Sequence, residues 1–537
     1  MPEEEKEYDF WPDKIAKELV KNWKSERQVI VTGTSMSGDP HIGNANDIIR
    51  GDVVVRAIKD LREKAELIWI SDDLDPFRSV PADMPEKLEN YLGIPAVKIP
   101  DIFDGKHKNF SDHFEQKFLG QLKIIGVKPK VLLATDMYKK GMYNEVMKIA
   151  MKKRNEIVQI LNKFRKNHLP EDWYPIDVTC EKCGKISTTK ILNYDEKNLK
   201  VEYFCNPEEV LLHKKNPVKG CGERRWKSIL NGGAKLTWRV EWPARWALLK
   251  ATCEPFGKEH AAAGGSWDTG KEIVKKIFGW KAPYPVVYEH FLVNGEKMSK
   301  SRGNVLTVMD MLKYMKIEHL RYWMYQGRLT IAKDINLKNI VPNLFNEYDK
   351  AERIFFEKES TGNDKRDNNY KRAYQLSSIK IPKSPSFQIE FDKLEEIVKI
   401  LPGKNQLEFA MEKLKEWNVK KKFSEKEKKE LSLRLEFAKR WYDDFVRPKE
   451  PVKKLEIDEK MEKGFAALIS EIEKAKNGDE LQEKIFQIIK NNNLDQRDFF
   501  KKTYSVLLNS ERGPRLGPYI IEAGKKEIIN KLKKAIK

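Results

Sequence analysis

Three short runs in the first 140 residues, RQVIVTGT (27–34), AELIWISDD (65–73) and KVLLATD (130–136), are continuously apolar, as strands buried on both faces are. Between and after them, in ANDIIRGDVVVRAIKDLREKA and YNEVMKIAMKKRNEIVQILNKF, apolar residues recur every three or four positions, the period of helices packed along one side. Strand alternating with helix predicts parallel β-α-β units and an α/β fold built on a doubly wound parallel sheet. The pattern breaks from Asp177 to about Trp226 and resumes with TWRVEWPARWALLKATCEPFGKEHAAAGGSWDTGKEIVKKIFG. There a strand is expected at or just before ALLKATC, and a helix after SWDTG. Beyond about Asp334 strand patterns become scarce, and Lys/Glu-rich amphipathic stretches such as EKMEKGFAALISEIEKA predict an all-helical C-terminal half. The polar run EKESTGNDKRDNN (357–369) reads as a loop within it.

The first strand-to-helix corner, VTGTSMSGDPHIGN (31–44), carries more than a turn requires: three Gly, one Pro and one of only eight His in the chain. Small residues let backbone amides approach an anion, and a helix N-terminus adds a favourable dipole. The corner has neither the Gly-x-Gly-x-x-Gly of dinucleotide sites nor the Gly-Lys-Ser/Thr of a Walker loop. A second polar stretch, EKMSKSRGN (296–304), places Lys297, Lys300 and Arg302 among hydroxyls and a Gly at the far end of the α/β half. Cations on a mobile loop can close over a triphosphate and stabilise charge that develops during transfer.

Four of the five Cys lie in one window, Cys180-x-x-Cys183 followed by Cys205 and Cys221. The pairing suits a distorted zinc ribbon, with four thiolates around a structural Zn2+ that leave no open position for chemistry. A thioredoxin-like redox role for Cys180 and Cys183 is the rival, though the usual β-α setting is missing. His213 is an alternative ligand to Cys205, and Cys253 reads as a packed thiol.

Composition narrows the partners. Lys and Arg exceed Asp and Glu by 20 charges, which points to a polyanion, nucleic acid or an anionic surface, unless the lysines serve solubility alone. The acidic start MPEEEKEYDFWPDK is unlike a secretory signal, and no run of 18 apolar residues is present. A soluble, cytoplasmic protein with no membrane partner is expected.

The two polar stretches together resemble the HIGH and KMSKS motifs of class I aminoacyl-tRNA synthetases: PHIGN supplies the first and KMSKS the second. TGTSMSGDPHIGN, ISDDLDPFRSVP, WRVEWPARW and EPFGKEHAAAGGSWDTG further resemble the class I lysyl-tRNA synthetases, over most of the first 350 residues. The departures are Asn44 for the second His, TGTSMSG where members commonly carry Ser-Gly-Ile-Thr-Pro-Ser-Gly, and Glu241 where they carry Asp. Each keeps a polar group of the same kind. The resemblance implies ATP-dependent activation of L-lysine and its transfer to the terminal adenosine of tRNA(Lys), with Mg2+ accompanying ATP. It implies catalytic roles for His41, Asn44, Lys297 and Lys300, and an ATP site of Gly38, His41, Gly43, Asn44, Lys297, Lys300 and Ser301. It further implies lysine contacts from Gly33, Ser35, Trp238, His260 and Tyr288, and zinc ligands Cys180, Cys183, Cys205 and Cys221. Residues 1–176 and 227–333 would form a Rossmann-type catalytic domain, 177–226 the zinc-binding insert, and 334–537 a helical region for the anticodon, in a monomer. The alternatives are a class I synthetase for Glu, Cys or Arg, and a non-catalytic tRNA-binding paralogue.

Chemistry supplies its own demands. A buried lysine ammonium needs a carboxylate or an aromatic face. WRVEW offers Glu241 between Trp238 and Trp242, and VVYEHF offers Tyr288 and Glu289. If WRVEW is a strand, the two Trp share one face and Glu241 takes the other, so the three do not line one pocket. Core packing is the competing reading for Trp238 and Tyr288, and capping or core packing for His260. Among Asp72, Asp73 and Asp75, one touches substrate or Mg2+, or all belong to an ordinary Asp-rich turn. Arg512, Arg515 and Tyr519 in ERGPRLGPYI are candidates for base contacts, or the segment is a helix-helix corner.

Overall fold

The computed structural model describes residues 10–212, 215–298, 304–401, 405–447, 457–508, 511 and 513–536. The chain divides into two compact units, one made of residues 1–312, 316–336 and 351–381, the other of 313–315, 337–350 and 382–537.

The first unit is built on the expected sheet. After helix α1 (Trp11–Asn22) come β1 (Gln28–Thr34), α2 (Ile42–Asp60), β2 (Ala65–Ser71), α3 (Phe110–Ile124) and β3 (Lys130–Leu133). Helices α4 (Ala134–Lys139), α5 (Asn144–Lys152) and α6 (Arg154–Asn162) follow, so the long helical pattern after β3 is broken at Lys153. Beyond the interruption, α7 (Trp238–Leu249), β11 (Cys253–Gly257), α8 (Ser266–Lys276) and β12 (Tyr284–Tyr288) complete the layer. The five strands of this sheet are all parallel, in the order β12-β11-β1-β2-β3. The order reverses between β1 and β11, and at such a switch point the crevice beyond the carboxyl ends of the strands is open to ligand. Val29, Val31, Ile68 and Ile70 pack on one face against Trp242, Trp246 and Phe256, while α2 covers the other through Ile30, Thr32 and Leu67.

The interruption is a small β module with strands β4 (Ile176–Asp177), β5 (Thr189–Asp195), β6 (Lys200–Cys205), β7 (Glu209–Leu212), β8 (Asn216–Lys219), β9 (Arg224–Ser228) and β10 (Lys235–Leu236). The order β5-β6-β9 forms one antiparallel sheet and β7-β8 a hairpin, while β4 pairs with β10 and closes the module at its base. Strands β13 (Phe291–Val293), β14 (Glu296–Lys297) and β15 (Lys333–Asp334) form a further three-stranded sheet, with α9 (Val308–Leu312) and α10 (Ile317–Tyr325) between β14 and β15.

Three expectations are corrected. The strand expected at or just before ALLKATC (247–253) begins only at Cys253, because Ala247 to Leu249 still belong to α7. WRVEW is not a strand but the start of α7: Trp238, Trp242 and Trp246 repeat at helical spacing, and Val240 and Ala244 are buried as well, so a helix covered on most sides mimics strand alternation. The polar run 357–369 is only half loop, because Asn363 caps a helix that starts at Asp364 by accepting from the Arg366 amide.

The second unit is helical. Helix α11 (Leu337–Phe355), α12 (Asp364–Ser377, in the first unit), α13 (Phe391–Lys399), α14 (Gln406–Glu416) and α15 (Glu425–Phe445) precede a cluster of α16 (Glu459–Lys474), α17 (Gly478–Asn491), α18 (Gln496–Leu508), α19 (Leu516–Ala523) and α20 (Lys525–Ile536). Buried Arg434 on α15 grips Asp349 on α11 with two bonds of 2.8 and 2.7 Å. Phe465, Leu468, Ile485, Phe499 and Ile520 centre the core of the last five helices. Tyr519 belongs to that core too, and exposed Arg515 pairs with Asp479 at 3.0 Å, so this segment is a helix-helix corner and the Tyr519 ring is not presented for stacking. Arg512 lies outside the described residues. No helix among the described residues is long and apolar enough to cross a membrane.

Candidate functional site

The corner between β1 and α2 is held by its own polar side chains. His41 is the N-cap of α2: its Nδ1 accepts from the Gly43 amide at 3.0 Å, and Asn44 Oδ1 accepts from the His41 amide at 3.0 Å. Accepting at Nδ1 selects the neutral tautomer with its proton on Nε2, a donor at a helix N-terminus. Position 43 has to be Gly, since a Cβ there would lie 2.7 Å from His41 Cε1. Gly38 is buried in the turn just before, at φ 151°, and does not line the cleft described next.

Beyond the sheet's switch point lies a cleft of about 980 Å³, lined by His41, Gly43 and Asn44 from the corner and by Gly33, Ser35, Trp238, His260, Tyr288 and Lys297. That is the large end of the range for small-molecule sites. The structure therefore gathers on one wall system most residues the sequence singled out. Lys300 and Ser301 lie outside the described residues, as do Ser299, Arg302 and Gly303. The flanks of that segment are placed at the corner itself: Met298 Cε lies 3.5 Å from where a Cβ on Gly43 would stand, and Leu306 O accepts from the Ile42 amide at 2.7 Å. Lys297 Nζ is 3.1 Å from His290 Nε2, and that ring is 2.9 Å from Glu259.

The other half of the cleft is aromatic. Trp238 stacks on Trp242 (5.2 Å, 28°) and on His260 (5.3 Å, 23°), and Trp242 meets the edge of Phe256. Tyr288 is buried with the Arg50 guanidinium 5.1 Å over its ring. Because α7 is a helix, Glu241 is four residues from Arg245 along one side, and it turns away from the cleft. Buried Glu241 accepts from Tyr138 at 3.0 Å and pairs with Lys235, which also reaches Asp75 at 3.2 Å. Asp75 accepts from Ser35 at 2.7 Å, and Asp72 binds Arg245 at 2.6 Å. The Asp triplet is thus divided. Asp72 and Asp75 face the cleft, whereas Asp73 accepts from the Thr135 amide at 2.8 Å, with burial lifting its pKa to about 7.

Several lining residues escaped the sequence reading, among them Asp47, Arg239, Arg245, His290 and the buried Glu254. Glu254 on β11 is 4 % exposed and accepts from the indole N–H of Trp242 at 2.6 Å and from that of Trp246. The signal was there: an acidic residue inside an otherwise buried strand, CEPFG.

Among the described residues two clusters could hold metal. The sulfurs of Cys180, Cys183, Cys205 and Cys221 all lie within 4.8 Å of one another, with 3.6 Å between Cys180 and Cys221 and between Cys183 and Cys205. Four thiolates around Zn2+ at about 2.3 Å stand about 3.8 Å apart, so the spacing suits that ion. His213 lies outside the described residues, and Cys253 is a buried thiol in β11 away from the cluster. Asp104, His107 and His113 form a second group within 4.8 Å, with His113 Nδ1 3.4 Å from Asp101. The sequence reading passed over its spacing, Asp-x2-Asp-x2-His-x5-His from Asp101.

Comparisons with known proteins agree with one another. A family model described as class I tRNA synthetases (K) matches residues 9–380. The chain is 34% identical to a lysine–tRNA ligase of Methanocaldococcus jannaschii, 32% to one of Methanosphaera stadtmanae and 30% to one of Pyrococcus horikoshii, in each case over 97% of this chain and 99% of the relative.

Proposed function

We infer the chemistry of the cleft from one premise: the chain belongs to the class I lysyl-tRNA synthetases. It is a lysine–tRNA ligase, using ATP to join lysine to its tRNA. The reaction has two steps. A lysine carboxylate oxygen attacks the α-phosphorus of ATP and pyrophosphate leaves. A ribose hydroxyl of the tRNA's terminal adenosine then attacks the acyl carbon, and AMP leaves. Neither step needs a protein nucleophile; positioning and charge stabilisation carry both.

The observation that supports this use of the cleft is the meeting of the two polar segments at His41–Asn44, through Met298 on one side and Leu306 on the other. In this reading His41 Nε2 and the Asn44 amide donate to the α-phosphate region, and Lys297 and Lys300, with Ser301, would hold the terminal phosphates, whose oxygens carry the Mg2+. The α-amino group of lysine takes the Gly33 and Ser35 end, and its side chain runs along Trp238, His260 and Tyr288. The Cys cluster holds a structural Zn2+ that cross-links the β module, supported by the fit of four sulfurs to a tetrahedron. The excess positive charge suits the tRNA, whose affinity should fall as salt rises. Residues 334–537, helical throughout their described elements apart from the short β15, are assigned to the anticodon end. The deciding experiment is amino-acid-dependent pyrophosphate exchange, run with each candidate amino acid in the presence and absence of tRNA(Lys). Exchange with lysine alone among them is expected, and exchange driven by glutamate, cysteine or arginine would overturn the assignment.

A further inference from the structure

Lysine differs from most amino acids by a second cation, and the cleft must answer it. The buried charges around Gly33 are mostly paired already. Lys235 binds Glu241 and Asp75, and Arg245 binds Asp72, with Glu241 at 3.5 Å. Two carboxylates that line the cleft are not paired, among the described residues: half-buried Asp47 on α2, whose Oδ1 has no hydrogen-bond partner, and Glu254, which is 4 % exposed with no cation within 4 Å of its carboxylate. Its two oxygens accept only from the neutral indoles of Trp242 and Trp246. A carboxylate offers about four acceptor sites, so capacity remains for a charged donor.

The position fits the reach of the substrate. Ile30 faces Cys253 across the parallel pair, which sets Glu254 level with Val31, two places before Gly33 along the strands. Two strand residues span roughly 6–7 Å, and an extended lysine measures about 6 Å from Cα to Nζ at ordinary bond lengths. Gly33 and Glu254 also open on the same face of the sheet. A Cβ on Gly33 would point at Arg245 on α7, the helix whose two indoles hold Glu254. Between them, Trp242 and Phe256 line the cleft with apolar surface for the methylenes.

We propose that Glu254 is the specificity-determining counter-ion for the lysine ε-ammonium, held in place by the indoles of Trp242 and Trp246 at the deep end of the cleft. This rests on the assignment of the cleft to lysine activation. A substrate whose side chain is neutral would leave Glu254 buried without a cation, and such a site discriminates by that unpaired group.

The test is exchange kinetics on the full-length enzyme with tRNA(Lys), comparing lysine with norleucine, which keeps the chain and lacks the ammonium. Glu254→Gln should raise the lysine KM by about a hundredfold or more, leave the ATP KM within about threefold, and narrow the lysine/norleucine ratio. Glu254→Asp, which keeps the charge, should recover part of the loss. Unchanged discrimination in Glu254→Gln, with the wild type active on lysine, overturns the proposal and leaves the function standing. A wild type inactive on lysine overturns the function instead. Should the Gln variant fail to fold, the indole N–H resonances of Trp242 and Trp246 in the wild type give the answer: both shift with lysine and not with norleucine, and equal response to the two refutes the proposal.

Discussion

The amide of Ile42 donates to the carbonyl of Leu306 at 2.7 Å, binding the first turn of α2 to the chain just past the second polar segment. Residues more than 260 positions apart are thereby fixed around one corner. On the proposed reading His41 has two tasks, the capping seen here and donation to the nucleotide, and they can be separated.

His41→Ala removes the cap and should lower stability by about 1 kcal/mol along with the rate of lysine activation. His41→Asn replaces one capping side chain with another, so thermal unfolding should stay near the wild type while pyrophosphate exchange falls about a hundredfold. Calorimetry beside exchange kinetics checks this, and parallel losses in both variants would leave His41 only a structural role.

Gly33→Ala tests the other end. The added Cβ would stand 3.1 Å from the Arg245 guanidinium and 3.4 Å from Asp72, on the face where lysine is placed. The KM for lysine should rise about tenfold with the KM for ATP little changed. Equal effects on both would move the amino acid elsewhere in the cleft.

How much of this was readable beforehand follows from what each residue depends on. β1 and β2 were legible because strands buried on both faces need unbroken apolar runs, while β3, a part-exposed edge strand, shows only as a short apolar run. The His41–Asn44 corner was legible because local chemistry, capping and close approach, dictates its residue types. The start of α7 misled because Trp238, Val240 and Trp242 alternate like a strand, and only the later Ala244 and Trp246 show that the segment is buried on most sides. Glu254 shows in the sequence only as an acid inside a buried strand; its place in the site was not legible because its partners, Trp242 and Trp246, lie on α7. Pairs of that kind are set by packing and not by local pattern.

Glu254 also gives the cleft a pH response. Burial lifts its carboxyl to about 7, while the indoles of Trp242 and Trp246 and the charge of Arg245 restrain the rise and Asp72 adds to it. Asp47, on α2, is pushed well above its usual value by burial and by Glu254 and Glu259. Below pH 7 the empty site holds a proton on Glu254 that an entering ammonium must displace. Lysine affinity should therefore weaken as pH falls through 7, with protons released on binding near that pH. Calorimetric titration in buffers of different ionisation enthalpy checks the release, and a buffer-independent heat at pH 7 would contradict it.

The Cys cluster, proposed to hold zinc, reaches the cleft by a traceable route. The Cys cluster ties Cys180 and Cys183 to Cys205 and Cys221, and the module closes where β4 pairs with β10. Lys235 on β10 is the residue that pairs Glu241 and Asp75, and Asp75 holds Ser35. The neighbouring Leu236 amide donates to Tyr138, whose hydroxyl donates to Glu241. His41, Gly43 and Asn44 have no such link to the module among these bonds. Stripping zinc with a chelator, or replacing Cys205 by Ser, should thus raise the lysine KM and lower the unfolding temperature while nucleotide binding at the corner persists. Metal analysis of the purified protein should show zinc in the wild type and its loss in the variant. A chelated enzyme that weakens for ATP first, or equally, would mean that the module supports the fold as a whole and not the lysine end of the cleft.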